Sequence, residues 1–323
     1  MSYQLATPAS PASVIEIASH DISPLSVLLA LDGSAASDSA AHLALSLAEH
    51  RMAIVQVLQV IDTRPVPIPP PLDVALAVAD AAYGEAIQNE RETLVAANLE
   101  KTLGREVSWP VAIRLGQPSH VILHEALTAG ATMVLLGLRH HHLVERATHN
   151  DTVHEILRAS TLPVLAATDK LGSLPKHVVV GMDFSSASID AARAALTLLA
   201  DGGRLTLAYV APPLTFGIEE GEQLVRQLGV AAAFERVREA LRPPHGVTVA
   251  TVVLDGTLTR NIASTLRAFV DRTEADLVAL GARRHGRLER WVVGSVTSDF
   301  AREGTHSLLA VPPVEQQPAL SES

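Results

Sequence analysis

Residues 177–200 read HVVVGMDFSSASIDAARAALTLLA and repeat, in residue type and order, residues 26–48, SVLLALDGSAASDSAAHLALSLA, with Asp183 falling on Asp32. Each copy is a short apolar run ending in an aspartate, a small-residue loop, and a stretch whose leucines and alanines recur at helical spacing: strand, tight turn, helix. The correspondence continues outward. GRLTLAYV repeats the second strand AIVQVLQVI (53–61), and Phe234 to Leu241 lies in the second of two long helices, the first spanning Asp80 to Leu103. The third strand is VSWPVAI (107–113) in one copy and Val247 to Val253 in the other. Gly116 matches Gly256, ATMVLLG (131–137) matches ADLVALG (275–281), and TLPVLAA matches THSLLAV (305–311). A period of roughly 145 residues is too long for a solenoid and fits a duplicated domain.

In each copy five near-continuous apolar strands alternate with helices, the signature of a parallel sheet covered on both faces. Right-handed crossovers make such a sheet doubly wound, in the order 3-2-1-4-5, with ligands at the carboxyl ends of strands one and four. The fold class expected is therefore α/β, two tandem doubly wound five-stranded units of Rossmann-like type. Expected boundaries are a loose arm at 1–21, a first domain at 22–169, a linker KLGSLP (170–175), a second domain at 174–313 and a tail at 314–323.

Composition limits the chemistry. Thirty-five acidic residues against 25 basic ones leave a net charge of −10, a field that repels nucleic acid and anionic membranes. No cysteine is present, which excludes disulfides, thiolate nucleophiles and Cys-ligated metal centres. The N-terminus lacks a basic region followed by an apolar core, and no uncharged apolar run approaches the roughly 18 residues of a membrane span; a cytoplasmic protein is expected. No P-loop, no G-x-G-x-x-G and no G-x-S-x-G elbow occurs, so enzymatic turnover is disfavoured.

The segment after the second copy's fourth strand, GARRHGRLERWVVGSVT (281–297), carries the ligand question. Gly294-Ser295 opens the next helix, where free backbone N–H groups and the helix dipole favour an anion. Ser295 is equally suited to be an N-cap, which leaves a plain strand-to-helix turn as the other reading. Trp291, Val292 and Val293 in this loop are candidates for packing against another domain or subunit.

An aspartate ending the first strand, followed by Gly-x2-Gly-x9-Gly-Ser/Thr after the fourth, resembles the universal stress protein family, and the duplication resembles its tandem type from about residue 22 to 313. In members that bind ATP, this segment holds the phosphates and ribose. The resemblance implies a nucleotide site formed by Met182, Asp183, Val210 on the adenine side, Gly281, Arg283, Arg284, Gly294, Ser295, Val296 and Thr297, with Mg2+ between Asp183 and the phosphates. It also implies an internal pseudo-dimer of the two copies and a homodimer of chains. Arg284 replaces the middle glycine: it removes a position of close backbone approach while adding a cation beside Arg283. The first copy departs further, with Gly137 retained but His140 in the middle and Asn150-Asp151 in place of Gly-Ser. A carboxylate there opposes a phosphate, so this half is expected to serve as a structural partner.

His120 and His124 lie four apart on a predicted helix and share a face. They are either surface residues or two ligands of a non-catalytic zinc site. His124-Glu125 and His154-Glu155 begin like a zinc-protease helix, but Thr128 and Arg158 stand where the second histidine belongs. Three readings remain: an adenine-nucleotide binder with a regulatory or sensing role in stress response, an interaction protein that binds partners, another small ligand or a metal, its nucleotide pockets having decayed, or at most a weak ATPase.

Overall fold

Parallel strands need crossovers, and the alternation of apolar runs with amphipathic segments supplies a helix for each. The computed structural model describes residues 24–63, 81–139, 150–213, 220–256, 261–282 and 294–312. The first half contains β1 (Ser26–Leu31), α1 (Ala35–Arg51), β2 (Ile54–Asp62), α2 (Ala81–Leu103), β3 (Val111–Gly116), α3 (Pro118–Thr128), β4 (Met133–Gly137), α4 (Asn150–Ala159) and β5 (Val164–Ala167). The second contains β6 (His177–Met182), α5 (Ser186–Leu198), β7 (Arg204–Ala211), α6 (Glu220–Leu241), β8 (Thr248–Asp255), α7 (Ile262–Thr273), β9 (Leu277–Gly281), α8 (Ser295–Glu303) and β10 (Ser307–Val311).

The strands form one ten-stranded sheet in the order β3-β2-β1-β4-β5-β10-β9-β6-β7-β8. Each half has the expected 3-2-1-4-5 order, and the fold is a tandem, mostly parallel α/β structure. The third strand starts at Val111, later than the expected residue 107. Pro110 has no N–H to give the ladder and takes part only through its carbonyl, which accepts from the Val57 N–H at 2.8 Å. The long helix of the first half is described from Ala81, and the expected start at Asp80 lies outside the described residues.

The halves meet where β5 and β10 pair antiparallel, with Leu165 opposite Leu309, Ala166 opposite Leu308 and Val164 opposite Ala310. Leu165 and Leu309 are equivalent residues of the repeat, so the register is centred on a pseudo-twofold axis. Neither strand is left as an open edge. Below the leucines, the buried Ser307 hydroxyl accepts from the Thr168 N–H at 3.0 Å and lies 3.0 Å from the Thr168 hydroxyl.

Both cores run through this seam. Helices α1, α2, α5 and α6 cover one face, where Leu43, Leu47, Leu99, Leu198 and Phe234 are buried together. On the other, α3, α4, α7 and α8 bury Ile122, Ile156, Leu266 and Phe300. The 170–175 connection joins the first of these cores: Leu171 and Leu174 are buried in it, and the Asp169 carbonyl accepts from the Ser39 hydroxyl at 2.9 Å. Arg51, the last residue of α1, crosses the pseudo-axis to α5. Its guanidinium donates to the Thr197 carbonyl at 3.2 Å and the Leu199 carbonyl at 2.5 Å, and it pairs with Asp201 at 2.8 Å. One half thus caps the carbonyl end of the other half's equivalent helix.

Candidate functional site

The reversal in strand order between β6 and β9 places the site. Register pairs Met182 with Tyr209 and Gly181 with Leu280, so Asp183, Val210 and Gly281 emerge side by side at the carboxyl ends of β6, β7 and β9. Met182 is buried in the core beneath, while Val210 is half-buried and packs against the opposite core.

Asp183 begins a tight turn. Its Oδ1 accepts from the Ser185 N–H at 2.9 Å and from the Ser185 hydroxyl at 2.5 Å. The Ser185 hydroxyl in turn caps α5 by accepting from the Ser188 N–H at 3.3 Å. The carboxylate therefore has a local structural task besides any ligand it meets. Between the two, Phe184 has φ +61°, the left-handed region that costs a bulky side chain about 1–2 kcal/mol. Its ring stands 5.1 Å from Tyr209 and 5.0 Å from Phe234, the latter edge-to-face, contacts of about 0.5–1.5 kcal/mol each.

The glycines of the loop differ in kind. A Cβ on Gly281 would sit 2.3 Å from the carbonyl carbon and oxygen of Ala187 and 2.7 Å from the Ser188 nitrogen. Gly281 is bare because the first turn of α5 lies against it. Gly137 meets α1 in the same way, 2.6 Å from the Ser37 nitrogen, which explains its retention in the first copy. Gly294, by contrast, would bring its Cβ within 4 Å of no atom among the described residues, and its φ of −57° is open to any residue. Gly294, not Ser295, is the N-cap of α8; a glycine cap has no side chain to satisfy the first N–H groups. Ser295 is exposed as the first helical residue, Val296 is half-buried and Thr297 is buried. Thr297 and Ala282 line a small cleft beside the seam with Leu157 and Ser160 of the first half. Arg283, Arg284, Trp291, Val292 and Val293 lie outside the described residues.

In the first half, Asp32 makes the equivalent turn, its Oδ1 accepting from the Ser34 N–H at 3.0 Å. Its Oδ2 is 3.2 Å from the Arg139 guanidinium, which reaches across from the end of β4. The Arg139 Nε is enclosed without a hydrogen-bond partner among the described residues. His140 and the residues to His149 lie outside the described residues. His120 and His124 are both exposed on α3, and no cluster of three potential metal ligands occurs among the described residues. Phe184 and Arg139 were not singled out in the sequence, although the repeat alignment sets Phe184 on Gly33 and Arg139 on Arg283.

Among the described residues, no helix is long and apolar enough to cross a membrane. No curated protein matches the chain in sequence. Among solved structures, a universal stress protein from Archaeoglobus fulgidus is similar at 18% identity and TM-score 0.61, covering 90% of this chain and 100% of that one. A Pseudomonas aeruginosa protein described as a universal stress protein matches at 12% identity and TM-score 0.57, over 90% and 94% of the two chains. At these identities the likeness is one of fold. A universal stress protein solved in complex with cAMP matches one half only, with 21% identity, TM-score 0.35, and coverage of 44% of this chain and 100% of that one. The model of the universal stress protein family matches twice, over residues 25–167 and 175–312. With both halves matched and one continuous sheet between them, the chain belongs to the universal stress protein family, as a tandem member.

Proposed function

We propose that the second half binds an adenine nucleotide, ATP, as a regulatory or sensing state in stress response. The observation that carries the reading is the contrast between two glycines of one loop. Packing requires Gly281, whereas nothing described in the protein requires Gly294 at the start of α8. A glycine without a packing reason, at a helix N-terminus beside the strand-order reversal, suits close approach of a phosphate. In this reading the N–H groups of Gly294, Ser295 and Val296 and the Ser295 hydroxyl face the phosphates. Thr297 supports the turn from its buried side, Met182 floors the crevice, and Val210 lies on the adenine side. Arg283 and Arg284 would add phosphate contacts from the intervening loop.

The donors fit the nucleotide: uncapped N–H groups for anionic oxygens, and a carboxylate for a ribose hydroxyl or Mg2+. Mg2+ would neutralise phosphate charge in a chain of net charge −10. The first half is assigned a structural role, because Asp151 stands at the start of α4 where Ser295 stands in α8. The domain boundaries, 22–169 and 174–313, follow the repeat, and the nucleotide-bound chain is assigned to the cytoplasm as a homodimer.

The test is chromatography of the supernatant from denatured, freshly purified protein, followed by calorimetric titration of MgATP into nucleotide-free protein. One site per chain is expected, abolished in Gly294→Asp and weakened about tenfold in Asp183→Asn, which keeps an acceptor for Ser185 while removing the charge. No copurified nucleotide and no binding heat at millimolar MgATP would reject the reading. The second reading, an interaction protein without nucleotide, is favoured by the Arg139–Asp32 pair, in which the chain's own side chain meets the first-strand aspartate.

A further inference from the structure

Among the described residues, four that are not glycine have a left-handed backbone: Met52, Phe184, Arg242 and Glu274. Met52 and Glu274 are the C-caps of α1 and α7, and Arg242 directly follows α6, all positions where helices ordinarily end this way. Phe184 ends no helix. It stands between the aspartate of β6 and the serine cap of α5, at the point where the first half has Gly33 with φ +75°. The second half therefore forces a phenylalanine into a conformation that its own duplicate gives to glycine.

What holds it there is a set of aromatic rings, in a chain with only five Phe, three Tyr and two Trp. Phe184 packs on Tyr209 of β7 and Phe234 of α6, and Phe234 is fully within the core. The first half has no counterpart: strand register sets Gln59 opposite Leu31 where Tyr209 is opposite Met182. The ring is thus tied to the strand whose next residue is Val210 and to a core helix, while its backbone carries Asp183 on one side and Ser185 on the other.

We propose that Phe184 is a positioning residue: its ring, gripped by Tyr209 and Phe234, fixes the turn that presents Asp183 and Ser185 at the strand ends of the second half. The proposal rests on the nucleotide reading for its ligand but not for its mechanics. A glycine at 184 keeps the φ angle accessible and frees the turn, whereas a tyrosine keeps the ring.

Two measurements on the full chain test it: hydrogen exchange at the Ser185 and Ser188 amides, and the affinity for MgATP. Phe184→Gly is expected to speed exchange at both amides at least tenfold and to weaken MgATP binding at least fivefold. Phe184→Tyr should restore both, and Tyr209→Leu, which leaves the turn's own sequence intact, should shift both in the same direction. Unchanged exchange in Phe184→Gly overturns the proposal. Faster exchange with unchanged affinity also overturns it, since the ring would then serve stability alone. If the wild-type protein binds no MgATP, the nucleotide reading fails, and the exchange arm alone judges the anchor. Should Phe184→Gly not fold, the exchange and affinity of Tyr209→Leu decide in its place.

Discussion

Alanine substitution at the two glycines of one loop should have unequal consequences. At Gly281 the new Cβ would stand 2.3 Å from two backbone atoms of Ala187, about an ångström inside ordinary carbon contact. Backbone cannot rotate away, so β9 or the first turn of α5 must shift, and a cost at the upper end of the 1–3 kcal/mol typical of overpacking is expected. At Gly294 the Cβ meets no atom among the described residues, and only the poorer capping of alanine counts, about 0.5–1 kcal/mol. With about 2–4 °C of melting temperature per kcal/mol for units of this size, Gly281→Ala should melt about 5–10 °C lower and Gly294→Ala about 1–4 °C lower. Gly137→Ala is an internal replicate, its Cβ facing the Ser37 nitrogen at 2.6 Å, and should behave like Gly281→Ala. Circular dichroism melts of the three variants decide the matter. Equal losses at Gly281 and Gly294 would refute the division between a packing glycine and a ligand-facing one.

The seam offers an independent test: Leu309→Ala, at a fully buried position on the pseudo-axis, should cost about 2–5 kcal/mol in urea unfolding, and a loss below 1 kcal/mol would mean that the halves do not depend on this pairing. A pH prediction follows from His177, whose ring approaches the Thr273 carbonyl and the Thr206 hydroxyl, 2.9 Å from Nε2. Burial is the main cause holding its pKa below 6.5, with Arg204 adding to the effect against the Thr273 carbonyl and Asp276. The folded state favours neutral His177, so its contribution is full above about pH 6.5 and declines as pH falls toward the lowered folded value. His177→Gln should flatten stability between pH 6.5 and 5; an unchanged slope would assign the pH dependence elsewhere.

The order of elements was legible in the sequence because it rests on local periodicity, which the duplication states twice; parallel pairing and the strand-order reversal followed from that alternation through the crossover rule. Asp183, Gly281 and Gly294 could be singled out by their places at strand and helix ends together with the family motif they resemble. What spacing could not convey was why each is there. Gly281 and Gly137 answer to helices that precede them by about a hundred residues, and Phe184 is held by rings from β7 and α6. The Arg139–Asp32 pair, likewise, joins the ends of β4 and β1. The seam was also beyond the sequence: two apolar strands of similar composition carry no mark of pairing antiparallel with Leu165 on Leu309. Hydrophobic periodicity depends on near neighbours along the chain, whereas steric exclusion, ion pairing and ring packing depend on atoms that only the folded sheet brings together. The sequence by itself therefore determined the architecture of each half; tertiary structure decided which glycines packing requires and how the two halves join.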